Sequence, residues 1–348
     1  HDAQRDVGSG RGPLEGVGLM AVDPSTWSGR RVLVTGATGM VGSWLTRWLV
    51  EADAYVVALV PDWDPQSELI RSGTIDRVSV VNGRLEDYDT VERAINGHEV
   101  DSVFHLGAQT IVGTAHRAPR QTFESNVQGT WNVLEACRVL GDLVQRIMVA
   151  SSDKAYGAQV VLPYTEETPL TGRAPYEVSK SCTDLVSTSY AETYDLPVLI
   201  ARCGNIYGGG DLNWSRIVPG TFRWLIRGEQ PILRSDGTFL RDYLHVDDIV
   251  DAYLHLAEFA DQPDHRGQGF NFSDETPLSV MEIYEACCNA AGREGTEPLI
   301  LGEAVGEIHD QYLDSSRARD ELGWRVSVGL EAGLERTFAW YADLLDAD

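Results

Sequence analysis

The chain has 348 residues, 43% of them hydrophobic, enough for one large α/β body with an appendage or for two domains. Its 53 acidic and 28 basic residues give a formal charge of −25, which excludes a nucleic-acid partner and leaves a small anion acceptable only where a few arginines converge. No apolar run reaches membrane-spanning length and no charged start leads into an apolar signal core, so a cytoplasmic protein off the membrane is expected.

Residues 1–28 are glycine-rich and polar and read as a mobile tail. Residues 31–34 then form a short apolar strand that runs into Thr35-Gly36-Ala37-Thr38-Gly39-Met40-Val41-Gly42. A helical stretch through Trp44, Leu45, Trp48 and Leu49 follows, and a second apolar strand spans 54–60. Glycines at the first turn of such a βαβ unit allow a tight turn. They also let backbone N–H groups approach a pyrophosphate at the helix N-terminus. Strand, glycines, helix and strand in that order point to a dinucleotide site.

The alternation continues with strands at 78–81, 102–106, 147–150 and 197–201 and helices at 88–96, 126–139 and 176–194. Strands alternating with helices indicate a doubly wound parallel sheet. Beyond Gly208-Gly209-Gly210 the pattern loosens, with helices expected at 217–227, 246–259 and 279–291 between short strands. The five cysteines have no metal-ligand or redox spacing and read as reduced thiols; no metal site is expected.

Two lysines, Lys154 and Lys180, stand in the whole chain; every other long basic side chain is arginine. A bias toward arginine removes lysine wherever either cation serves. Arginine does not deprotonate in proteins, whereas a buried lysine does so readily. Both survivors sit where chemistry is expected. Lys154 follows Ser151-Ser152-Asp153 at the end of the 147–150 strand, where open α/β sheets bind ligands. Lys180 lies one helical turn after Tyr176, so the two can share a face.

These stretches together resemble the extended short-chain dehydrogenase/reductase family of nucleotide-sugar epimerases and dehydratases. The resemblance runs from Arg31 to about Tyr341. It rests on Thr35–Gly42, His105-Leu106-Gly107-Ala108, Asn126-Val127-x-Gly129-Thr130 and Tyr176-x-x-x-Lys180. It continues in Arg202-x-x-Asn205-x-Tyr207-Gly208, Arg241-Asp242-Tyr243, and Tyr312–Ala318 followed by Glu321-Leu322-Gly323-Trp324. It implies a Rossmann NAD-binding domain at 29–205. It implies a smaller mixed α/β, mainly substrate-binding region at 206–348, with the chain crossing back to the first.

The family's cofactor contacts would fall on Gly36, Thr38, Gly39, Met40, Val41, Gly42, Asp62, Leu85, Leu106, Gly107, Ala108, Asn126, Tyr176 and Lys180. Ser152, Tyr176 and Lys180 match its catalytic set, with a tyrosinate lowered by Lys180 and the cationic nicotinamide taking the proton from a sugar C4 hydroxyl. Asn205, Arg216 and Arg241 match positions that contact the nucleotide diphosphate of the substrate. A homodimer through the 126–139 and 176–194 helices is also implied.

Asp153-Lys154 resembles the CDP-glucose 4,6-dehydratase subtype, with Asp153 as acid toward the C6 hydroxyl and Lys154 as base toward C5. In that reading Lys180 and the cofactor's charge help keep Lys154 neutral. The alternatives are an epimerase or decarboxylase on the same scaffold, a GDP-mannose-type dehydratase, or a non-catalytic dinucleotide sensor. The chain departs from the pattern in three places. Arg84 stands where an acid often contacts adenine, no arginine lies in 303–307, and the acid after the second strand is delayed to Asp62. Asp62 still favours NAD over NADP, because a carboxylate repels a 2′-phosphate.

Overall fold

The computed structural model describes residues 22–303 and 307–346. Its centre is a seven-stranded parallel sheet. Six strands are β1 Arg31–Thr35, β2 Tyr55–Val60, β3 Ser79–Asn82, β4 Ser102–His105, β5 Arg146–Ala150 and β6 Val198–Cys203. The seventh, Gly269–Phe272, comes from the second half of the chain and pairs with β6. The sheet order is β3-β2-β1-β4-β5-β6 and then the Gly269–Phe272 strand. The order reverses between β1 and β4, which pair from Val32↔Ser102 to Thr35↔His105. The carboxyl ends of those two strands therefore part above a crevice, the ligand site of doubly wound sheets.

Both faces of the sheet are covered, so its strands are near-continuous apolar runs. Alternate residues supply the two sides. Val32, Val34, Val56, Ala58, Phe104 and Met148 pack with Leu45 and Trp48 of the Met40–Glu51 helix and Ile249 of the Val246–Glu258 helix. Leu33, Val57, Val103, Ile147 and Val149 pack with Val91, Ile95, Val133 and Leu134 on the other side. A third cluster, around Phe222, Ile283, Tyr284 and Tyr341, holds the second half together.

The helix expected from residue 126 begins as a single π-helical turn, Glu124–Gln128, before Gly129–Val139 becomes regular α-helix. The helix expected at 176 starts at Pro175, whose fixed φ and missing N–H suit a first turn, and runs to Tyr194. Glu177 accepts hydrogen bonds from the N–H groups of Arg173 and Ala174, and Asp195 closes the helix in the left-handed conformation. The Leu330–Asp346 helix is an addition that the sequence pattern did not reveal.

Of the expected tail, residues 1–21 lie outside the described residues. Within the remainder Val22 and Trp27 are buried, so the chain is anchored before the expected boundary at 28. Trp27 is fully buried, its ring 5.3 Å from that of Phe104 and its Nε1 donating to Glu258 at 3.2 Å. An indole so placed closes one edge of the core beneath the sheet. Trp27→Ala is expected to lower the free energy of unfolding by about 3–5 kcal/mol, measured by denaturant titration.

Candidate active site

The glycine turn is built for close approach. Gly36 has φ +72°, and a Cβ there would lie 2.8 Å from Gly107 N. A Cβ at Gly42 would collide with the Gly36 carbonyl. Gly39 opens the Met40–Glu51 helix without a side-chain cap, so its first N–H groups are left for a ligand. Thr35 fixes the floor: its Oγ1 accepts from Gly107 N at 3.0 Å and meets His105 Nδ1 at 2.9 Å. His105 Nε2 reaches Thr130 Oγ1 at 3.0 Å, and burial pushes this imidazole down to about 3, so it is neutral.

Leu85 fills the space that a Cβ at Gly107 or Gly129 would take, and its carbonyl accepts from Asn132 Nδ2 at 2.8 Å. Asn126 is buried in the π-helical turn. Its amide bonds the backbone of Gln109 in both directions, at 2.7 and 2.9 Å, and Ser179 Oγ at 2.9 Å. Asp62 is exposed just past β2, and Arg84 pairs with Glu86 at 3.7 Å near the surface. A separate open cleft of about 580 Å³ is lined by Arg84, Arg117, Arg120 and Glu124 and contains none of the catalytic-set residues.

The catalytic-set residues converge above β5. Ser152 caps the short turn Asp153–Tyr156: its Oγ accepts from Lys154 N at 3.2 Å and donates to Asp153 Oδ1 at 2.9 Å. Asp153 is buried, and its Oδ2 has no hydrogen-bond partner among the described residues. Burial pushes Tyr176 up to about 12, against the pull of Arg216 and a hydrogen bond with Ser152. Lys180 donates to the carbonyl of Ala150 at 2.7 Å, and burial lowers it to about 8.

The charge of Arg216 favours the Tyr176 anion. The amine of Lys154 is lowered by burial, against the pull of Asp153, and Arg241 adds to the lowering.

Arg216 stands at the start of the Ile217–Arg227 helix and pairs with Asp211 at 3.0 Å. Asn205 opens a strand that pairs with Tyr243–His245. The guanidinium of Arg241 is directed at the carbonyls of Leu240, Ile308 and His309. These three residues come from separate elements, and Arg216 and Arg241 reach the catalytic cluster through Tyr176 and Lys154 respectively.

Sequence reasoning missed three groups. Gln311, fully buried, accepts from Lys154 Nζ and donates to the Asp153 carbonyl at 2.8 Å. Asp242 is buried beside Gly204 and pushed up to about 7, first by burial and then by Asp153. Asp184 holds Arg202 at 2.7 Å and accepts from Ser151, tying β6 to the catalytic turn. Asp184 lies four residues after Lys180, a helical spacing that was legible; Gln311 lies 157 residues from its partner Lys154, and no spacing reveals it.

The parallel sheet, the glycine turn at its switch point and the Ser-Tyr-Lys cluster define an extended short-chain dehydrogenase/reductase. The chain matches the GDP-mannose 4,6 dehydratase family over residues 33–337 and belongs to it. It is 29% identical over 336 residues to the CDP-glucose 4,6-dehydratase of Salmonella typhimurium, covering 92% of each chain. It is 30% identical to the UDP-glucose 4-epimerase of Mycolicibacterium smegmatis, covering 89% of this chain and 98% of that one. A dTDP-glucose 4,6-dehydratase from Streptomyces venezuelae, solved with NAD bound, superposes with a TM-score of 0.81 at 27% identity, covering 90% and 97%.

Gly42→Ala is expected to weaken NAD binding at least about 10-fold, since the added methyl forces apart the glycine turn. Calorimetric titration with NAD measures it, and an unchanged affinity would place the dinucleotide elsewhere.

Proposed function

We propose that the protein is an NAD-dependent nucleotide-diphosphate-hexose 4,6-dehydratase of the CDP-glucose type. The observation that carries this reading is the pairing of buried Asp153 with partly buried Lys154 on the same turn as Ser152. A C4 oxidation and reduction alone needs only Ser152, Tyr176 and Lys180, so an epimerase leaves both groups without work.

NAD would be held by Gly36, Gly39, Gly42, Leu85, Gly107, Asn126, Tyr176 and Lys180, and when bound it supplies a hydride acceptor beside the sugar. Its fit is supported by the cradle that Cβ atoms at Gly36 and Gly42 would fill. Asp62 favours NAD over NADP. Arg216 and Arg241, with Asn205, would take the substrate diphosphate.

Tyr176 takes the C4 hydroxyl proton, with Ser152 holding the reacting oxygen and Arg216 favouring the tyrosinate. Oxidation at C4 makes the C5 proton acidic. Neutral Lys154 removes it, forming the N–H bond as the C5–H bond breaks. The electron pair passes through the enolate and expels the C6 hydroxyl as water, with the proton supplied by Asp153. The unpartnered Oδ2 is the oxygen from which that proton would be delivered. The product after reduction at C6 is a 4-keto-6-deoxy sugar nucleotide.

Incubation with CDP-, dTDP-, UDP- and GDP-hexoses in deuterium oxide is expected to give this product with one deuterium at C5, read by mass spectrometry and NMR. A C4 epimer without loss of water would overturn the dehydratase reading. Lys154→Met is expected to bind NAD normally and to lose elimination by at least about 100-fold, within the contribution typical of a general base.

A cytoplasmic homodimer fits the same reading. All five cysteines are free thiols, and no helix of the described residues is long and apolar enough to cross a membrane. The Gly129–Val139 and Pro175–Tyr194 helices carry Trp131, Val139, Leu185 and Tyr194 on the surface, 44 to 61% exposed. Such side chains on adjacent helices favour a partner. Leu185→Arg combined with Trp131→Glu is expected to give a monomer in sedimentation velocity where the wild type sediments as a dimer.

A further inference from the structure

Gln311 lies on the two-residue strand Asp310–Gln311, which pairs in register with Leu240–Arg241. Its side chain is fully buried, and its amide engages both members of the Asp153-Lys154 pair. A main-chain carbonyl accepts and never donates, so the NH₂ of the amide must face Asp153 and its oxygen must face Lys154. The neighbours therefore settle which way the amide points.

We propose that Gln311 is the positioning residue for Lys154: by accepting one Nζ hydrogen it turns the amine's lone pair away from itself and toward the substrate carbon. This rests on Lys154 being the base of the elimination. The acceptor is also neutral, so it holds the amine while favouring its charged form far less than a carboxylate in the same place would.

That neutrality matters because carboxylates already face the amine. Asp153 on the same turn, Glu177 on the Pro175–Tyr194 helix and Glu307 before the Gln311 strand all favour the ammonium. Burial and Arg241, from the paired strand, oppose them. A fourth carboxylate in direct contact would move the balance toward the charged form. The Arg241 guanidinium also clasps the carbonyls of Ile308 and His309, so the residue expected to meet the diphosphate steadies the segment that carries Gln311.

The scarcity of lysine makes the test direct. Protein labelled with ¹⁵N at lysine Nζ carries two side-chain amines, assigned by Lys154→Met. Gln311→Glu keeps the shape and adds a charge. It is expected to raise the Lys154 titration and cut the neutral amine at neutral pH about 10-fold or more. Elimination, read as deuterium entry at C5, should fall by a similar factor at neutral pH and recover as the pH rises. C4 oxidation, followed by nicotinamide absorbance, should be unchanged.

Gln311→Met removes the acceptor at similar volume. It is expected to lower kcat for elimination about 10-fold with KM unchanged and with the Lys154 titration moved down, in line with loss of one hydrogen bond to a charged group. An unmoved Lys154 titration in Gln311→Glu, or a wild-type kcat in Gln311→Met, overturns the positioning role. A Lys154→Met enzyme that still eliminates water overturns the base assignment instead. The titration then still decides whether Gln311 holds the amine.

Discussion

The turn that carries Ser152, Asp153 and Lys154 depends on a buried ion pair behind it. Arg202 of β6 and Asp184 of the long Pro175–Tyr194 helix meet at 2.7 Å, and both are almost wholly out of solvent. Removing two charges from water costs several kcal/mol per ion, so such a pair persists only where its remaining valences are satisfied. Ser151 donates to Asp184, and Arg202 donates to Tyr156 at 2.9 Å. Tyr156 in turn donates to Asn271 of the last sheet strand at 2.7 Å. The pair therefore grips the turn at residues 151 and 156, on either side of Ser152, Asp153 and Lys154. The cavity for Arg202 is cut to fit: a Cβ at Gly269 would meet its guanidinium nitrogens and carbon. The last strand is thus admitted to the sheet by a glycine that makes room for the charge.

Burial is the leading cause of the shifts at Lys154, Lys180, Tyr176 and Asp242, and it pushes each of them toward its neutral form. Lys180 falls to about 8, Lys154 falls, Asp242 rises to about 7 and Tyr176 rises to about 12. For the lysines this is the condition that a base needs. For Tyr176 it runs against the role assigned to it, since a tyrosinate is the form that accepts a proton. Arg216 supplies part of the opposing field from the second half of the chain. The two halves of the chain are thus electrostatically joined at one phenol.

The Rossmann core was legible because its signals are local. The glycine turn, the apolar strands and the Tyr176–Lys180 spacing all lie within short windows, and strand limits at β1 to β5 differ from expectation by about one residue. The two lysines stood out because composition alone isolates them. Trp27 was not legible: a lone tryptophan among glycines and polar residues gives no period, and its partners Phe104 and Glu258 are brought to it by the fold. Gln311 and Asp242 were missed for a related reason. A buried polar side chain is defined by what surrounds it, and here Gln311 sits on a two-residue strand and Asp242 directly after another, while their partners Asp153 and Lys154 lie far away in sequence. The spacing of Tyr176 and Lys180 was legible, but not where the amine points, which is at the Ala150 carbonyl brought up by the sheet.

Asp153 and Lys154 are adjacent in sequence, and the simplest outcome for such a pair is an ion pair with neither group able to do acid or base chemistry. Asp153 does pull Lys154 toward the ammonium, yet burial outweighs it and the amine is lowered. The geometry keeps the two apart in function as well. Asp153 Oδ1 is taken by Ser152, the Lys154 amine is taken by Gln311, and Oδ2 is left without a partner. Each group is thus held by a neutral neighbour rather than by the other. An amine lowered by burial and a carboxyl with one oxygen unpartnered among the described residues, fixed on one turn, are what the proposed removal of a proton and loss of water call for. This arrangement follows from the turn's burial and from Gln311 together, since burial alone would leave the amine free to swing back onto the carboxylate.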